Sequence, residues 1–237
     1  MNRKEECQMS WKERDKWGWR EFILLMILEF GVVIGIIKFF IKPLYSQWFK
    51  DELYAGTLMG LTIAIVIIIG VYFIALRPRK LSWREVGIRP FDKKDWKLII
   101  LLSLLLLAGA IIVMSLTSLI GNSYENGKTE AIQKNLAIHT IIIAFISAAI
   151  ISPIYEEIFY RGFLYRWLRT RLGLIAALIL SSLIFSIVHI PTYNVMPVNF
   201  LSGVIFAWAY ERTSSVWPPV IIHGLTNGLM VLLTVTG

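Results

Sequence analysis

Long apolar runs alternate with short polar blocks along the chain. Seven runs stand out, at residues 22–41, 55–76, 98–121, 136–160, 173–190, 198–210 and 216–236. A helix needs about 20 apolar residues to cross a bilayer core. The run at 98–121 carries no charge and meets that requirement most simply, whereas 198–210 is short for a span and reads as re-entrant or buried. The run at 22–41 follows a charged stretch without a small-residue cleavage site, so it predicts a retained helix rather than a signal peptide. Residues 42–54 read as a linker, 122–135 as a polar extracytoplasmic loop, and 191–197 as a loop marked by Pro191, Thr192, Asn194 and Pro197. The pattern predicts an all-α fold, a polytopic membrane helix bundle of about seven helices, within a range of six to eight.

Composition agrees. Hydrophobic residues make up 57% and charged residues 17% of the 237, and mean hydropathy is +0.66. Soluble domains carry about 25% charged residues. The net charge of +8 could suggest nucleic acid, but the basic residues sit in blocks between apolar runs. Positive-inside topology accounts for them, and no nucleic-acid partner is expected. The densest basic block, 77–97, marks a cytoplasmic loop, and counting spans back from it puts the N-terminus in the cytoplasm. The expected organisation is a cytoplasmic segment at 1–21, N-terminal membrane helices at 22–135, and a second helix bundle at 136–237. Cys7 is the sole cysteine, so neither a disulfide framework nor a cysteine metal site is available.

Ionisable residues inside the runs are the candidate chemistry. In the first run, Lys38 lies near the end and is expected to snorkel to the interface. Glu29 is deeper and is expected to line a packed polar spot. The second half holds Glu156, Glu157, Arg161, His189 and His223, plus His139 near the start of its run. Charges at a bilayer centre cost roughly 2.5–3.5 kcal/mol each on insertion scales, so an intramembrane polar site is a functional hypothesis by default. Glu157 and Arg161 stand at i,i+4 and can pair. Glu156 is rotated about 100° from Glu157 and is free to point elsewhere, as a general base must. Phe185 and His189 share a helix face, as do His223 and Asn227. A histidine and an asparagine one turn apart can offer two donors to one point, as an oxyanion hole requires. Pro218 and Pro219 suit the start of the last helix, with Ser214 or Ser215 as its cap.

Helical rise tests whether these groups can meet. If the fourth helix runs to Thr170 and turns at Gly173, Glu156 lies about 21 Å above the turn and His189 about 24 Å above it on the way back. His223 lies about 16 Å beyond Arg212. The three then fall at similar depth. The bland alternative is polar glue between helices; three pairs at matching depth argue against it, while His139, with no partner, reads as structural.

Glu156-Glu157-x-x-x-Arg161, Phe185-x-x-x-His189 and His223-x-x-x-Asn227, in this order on apolar helices, resemble the three motifs of the CPBP family. That family groups CAAX prenyl proteases with bacterial relatives, some linked to bacteriocin processing or self-immunity. The resemblance covers about residues 140–230. It implies an intramembrane endopeptidase of a bacterial cytoplasmic membrane, with its site open to the cytoplasm and a peptide or protein as substrate. It also implies roles: Glu156 activates water, Glu157 and Arg161 hold and tune it, His189 positions the water, and His223 and Asn227 stabilise the oxyanion. A metal-free scheme is favoured because no H-E-x-x-H is present; if zinc is used, Glu156, His189 and His223 are the expected ligands. The rival reading is a non-catalytic immunity or accessory protein that binds a peptide or partner through the same cluster. A transporter would need a polar path that the apolar second and third runs do not offer.

Overall fold

The computed structural model describes residues 16–119, 121, 127–134, 136–190 and 192–236. Cys7 and residues 122–126 and 135 of the expected loop at 122–135 lie outside the described residues, and 127–134 of that loop are helical. The helices are α1 (Trp19–Phe49), α2 (Glu52–Arg79), α3 (Asp95–Ser118), the short α4 (Gly127–Lys134), α5 (Ile138–Ile187), α6 (Met196–Thr213) and α7 (Trp217–Thr236). Among them α1, α2, α3, α5 and α7 are long and apolar enough to cross a membrane. Their outward faces carry exposed Ile100, Leu104, Ile111 and Ile175, a surface that suits lipid rather than water. The chain is an integral membrane protein.

Several boundaries differ from the sequence reading. The expected linker at 42–54 is mostly helix. The chain turns only at Lys50, which adopts a left-handed conformation, and at Asp51. The Asp51 carboxylate caps α2 by accepting from the backbone N–H groups of Leu53 (2.8 Å) and Tyr54 (3.2 Å). The short run at 198–210 lies within an 18-residue helix, α6, which begins next to Pro197 and is buried along one side. A Cβ on Gly203 would lie 2.8 Å from the Ser182 Cβ, so α6 packs directly against α5.

The turn at Gly173 is where the rise argument put it. Gly173 has φ 82° and ψ −178°, breaking α5 into an arm before it, α5a, and a returning arm, α5b. A left-handed φ of this kind favours glycine. The basic segment after α2 is pinned to the bundle. Val86 is fully buried, and its carbonyl would lie 2.2 Å from a Cβ on Gly162. Arg166 pairs with Glu85 at 2.9 Å and also donates to the Glu85 carbonyl. The Val216 N–H donates to the Gly87 carbonyl (2.9 Å), and the Ser215 hydroxyl to the Arg89 carbonyl (2.6 Å). Ser215 also accepts from the Trp217 N–H at 3.3 Å, the cap expected for α7.

Candidate active site

The two adjacent glutamates end up in different surroundings. Glu157 is fully buried, and its Oε1 accepts from Arg161 Nη1 at 3.0 Å and from His223 Nδ1 at 2.9 Å. A carboxylate oxygen only accepts, so Nδ1 carries the proton in that bond. Arg161 is 1% exposed and also donates from Nη2 to the Gly203 carbonyl (3.3 Å). Its guanidinium lies over the rings of Phe185 (4.4 Å) and Phe206 (5.0 Å), which supply cation–π attraction where water cannot solvate it. The guanidinium is thus surrounded by a carboxylate, a carbonyl and two aromatic rings, while Glu157 Oε2 is left buried without a hydrogen-bond partner among the described residues.

Glu156 faces the other way. It lines a cavity with Glu29, Val33 and Lys38 of α1, Ile63 and Ile67 of α2, Tyr155, Phe159 and Tyr160 of α5a, and Val188 and His189 after α5b. The accessible space is about 40 Å³, room for two or three waters. Its Oε2 is buried without a hydrogen-bond partner among the described residues and lies 3.9 Å from His223 Nε2. A buried carboxylate oxygen without a partner is an acceptor waiting for a donor. His189 Nδ1 donates to the Phe185 carbonyl at 2.7 Å, which leaves Nε2 as the ring's acceptor. Phe185 therefore does more than share a face with His189. Its carbonyl fixes the tautomer and its ring packs edge-on against the imidazole at 5.0 Å.

His223 and Asn227 do not aim at one point here. His223 is held by Glu157 and stacked on Phe206 at 4.6 Å, while Asn227 Nδ2 donates to the Ala148 carbonyl at 3.0 Å. The proline explains that second contact. Residues Ser147–Ile151 are π-wound, with i→i+5 bonds, and the N–H that Ala148 would bond in that register belongs to Pro153, which has none. Asn227 satisfies the orphaned carbonyl. Pro153 begins the next helical segment, Ser152–Glu157, without interrupting the helix. Next to it, Gly224 sits so close to the Ala149 carbonyl that a Cβ would lie 2.4 Å away. Gly224→Ala should therefore push α7 off α5a and separate His223 from Glu157. Overpacking of this kind costs about 1–3 kcal/mol. A lower melting temperature in detergent, with less than wild-type activity at temperatures where the variant is still folded, is the expected result.

The first helix supplies what sequence reasoning missed. Glu29 is buried and accepts from the Tyr160 hydroxyl at 2.7 Å, a packed polar spot as expected, but one that opens on the cavity. Lys38 does not snorkel. Its Nζ turns inward and donates to the Val188 carbonyl. At 3.6 residues per turn, positions nine apart lie on opposite faces, which sends Lys38 outward if Glu29 points in. Leu28–Ile41 is instead π-wound, and the wider turn puts Glu29, Val33 and Lys38 on the same wall. His139 is exposed at the start of α5 and takes no part. The zinc set Glu156, His189 and His223 is not gathered as a ligand group: among the described residues no three His, Cys, Asp or Glu side chains converge to hold a metal.

Residues 138–229 match the family described as type II CAAX prenyl endopeptidase Rce1-like. The Rce1-like segment holds all seven motif residues, whereas Glu29 and Lys38 lie outside it. The chain is 32% identical over 114 residues to the candidate membrane peptidase YdiL of Bacillus subtilis, covering 48% of this chain and 45% of the relative. It is 32% identical over 136 residues to the membrane-embedded CAAX protease MroQ of Staphylococcus aureus, covering 55% and 54%. The chain thus spans about half the length of the curated relatives it matches. No solved structure matches it.

Proposed function

We propose that the protein is an intramembrane endopeptidase that hydrolyses a peptide bond with water activated by Glu156. One observation carries the reading: of two neighbouring glutamates, Glu157 is neutralised by Arg161 and His223 and lies away from the cavity, while Glu156 lines a water-sized cavity shared with His189. A neutralised carboxylate is a structural anchor, and an unneutralised one beside water is a base. In this reading Glu156 takes a proton from a water that His189 Nε2 helps to orient. The water oxygen attacks the substrate carbonyl carbon, and its π electrons move onto oxygen. Collapse of that intermediate breaks the C–N bond, and Glu156 returns the proton to the leaving amine. Glu157 and Arg161 fix the helix that presents Glu156. His223, bridging Glu157 and the Glu156 side, and the second N–H of Asn227 are donors for the developing negative charge.

Residues 136–237 would form the catalytic bundle, with 22–135 walling and supporting it. The basic block 77–97 supports a cytoplasmic side for the loop after α2 and for the N-terminus, in a bacterial cytoplasmic membrane. The substrate class is a peptide precursor or a membrane-associated peptide. The test is cleavage of a fluorogenic peptide library by the purified protein in detergent, with and without a chelator, for wild type and Glu156→Gln. Cleavage that survives chelation and is lost in Glu156→Gln is expected. Loss on chelation with recovery on adding zinc would replace the metal-free scheme. A biological phenotype that persists in Glu156→Gln would favour the non-catalytic immunity or accessory role.

A further inference from the structure

Lys38 lies one hundred positions and more before the motif residues and outside the Rce1-like segment, yet its ammonium stands on the wall of the cavity that Glu156 and His189 line. We propose that Lys38 is a further catalytic residue of this site, donating a hydrogen bond to the substrate carbonyl oxygen as it becomes an oxyanion. The inference rests on the hydrolase reading above.

Four observations carry it. An ammonium has three N–H donors, and Lys38 spends one on the Val188 carbonyl; among the described residues it makes no other hydrogen bond. Among the described residues no carboxylate comes within ion-pair distance of it, although Glu29 and Glu156 line the same cavity. Cation and carboxylates line one open volume, as a site needs where base and oxyanion donor share a substrate carbonyl. The donors expected from the sequence are engaged elsewhere, His223 Nδ1 with Glu157 and an Asn227 N–H with Ala148, and neither residue lines the cavity. Finally, Lys38 near the end of its run has an inexpensive alternative, snorkelling to the interface, and the π-wound register of α1 instead turns it inward. Val188 directly precedes His189, so the bond that anchors the ammonium also ties it to the residue that would orient the water.

The competing account is that Lys38 only caps carbonyls at the end of α5b, as a cation near a helix C-terminus does. The test uses the full chain in detergent, in a Cys7→Ser background, with the library peptide that wild type cleaves best. Lys38→Met is expected to lower kcat by about 100-fold, the scale for one oxyanion donor, with KM and melting temperature near wild type. Lys38→Cys is expected to be equally poor. Alkylating it with 2-bromoethylamine, which rebuilds an amine at lysine length, should restore activity, and iodoacetamide should not.

A peptidyl phosphinate, an anionic tetrahedral mimic, gives a readout without turnover. Lys38→Met should bind it about 100-fold more weakly, while the parent peptide binds Glu156→Gln equally well with or without the lysine change. A raised KM at unchanged kcat would overturn the proposal in favour of a cation that only binds substrate. Falls in melting temperature and activity that the rebuilt amine does not reverse would overturn it in favour of the cap. Wild-type cleavage by Glu156→Gln would instead remove Glu156 as the base in the reading underneath, and a wild type that neither cleaves nor binds any of these peptides would sink both.

Discussion

Glu156→Gln should lower peptide cleavage by about 10²–10⁴-fold, the contribution usual for a positioned general base, without lowering the melting temperature. The second half of that expectation follows from the site. Gln keeps the size and shape of Glu, and Glu156 Oε2 has no hydrogen-bond partner to lose among the described residues. The neighbouring change, Glu157→Gln, should behave differently. It replaces an acceptor that serves both Arg161 and His223 with an amide of half the accepting capacity. Stability should fall along with activity. Measuring both variants side by side, by cleavage and by thermal melting in detergent, separates base from anchor. Equal melting temperatures for the two would mean that the division of labour drawn here is wrong.

Arg161→Met should produce the largest loss of stability. It leaves the Glu157 carboxylate fully buried with only His223 against it. Breaking a buried ion pair by removing one partner costs about 3–5 kcal/mol, because the other charge is stranded. Removing both charges is far milder. The double variant Glu157→Gln/Arg161→Met should therefore recover much of the melting temperature lost by Arg161→Met, while remaining inactive because His223 and the Glu156 helix lose their anchor. If Arg161→Met melts with wild type, the pair is not the keystone that its burial suggests.

Much of this site was legible in the sequence, and the reasons are local. Glu157 and Arg161 pair because i,i+4 spacing fixes them on one helix face. Glu156 diverges from Glu157 because neighbours on a helix are about 100° apart. Gly173 could be read as the turn because it interrupts the apolar pattern between two arms of matching length, and its left-handed backbone closes α5a onto α5b. What could not be read depended on a register that the residue pattern does not announce. The outward expectation for Lys38 assumed 3.6 residues per turn, and Leu28–Ile41 does not keep it. The contact of Asn227 with Ala148 likewise depends on a π-wound turn meeting Pro153. The shortness of 198–210 hid a longer helix, to which Met196 and Pro197 at one end and Glu211, Arg212 and Thr213 at the other belong. Glu211 is there to receive Tyr165 (2.7 Å) and Arg169 (3.0 Å) from α5a, a long-range pairing no window of sequence contains.

The winding of α1 makes the cavity sensitive to counting rather than to chemistry. Deleting one lipid-facing residue between Glu29 and Lys38 changes no charge and removes no polar group, yet if the stretch relaxes to ordinary α pitch the two positions, now eight apart, stand about 80° apart rather than on one wall. A single-codon slip in the first helix could thus rewrite the electrostatics of a site whose motif residues stand more than a hundred positions away and remain untouched. For anyone grafting residues 138–229 onto another set of membrane helices, the reading frame of the host's first helix becomes a design variable alongside the motif itself.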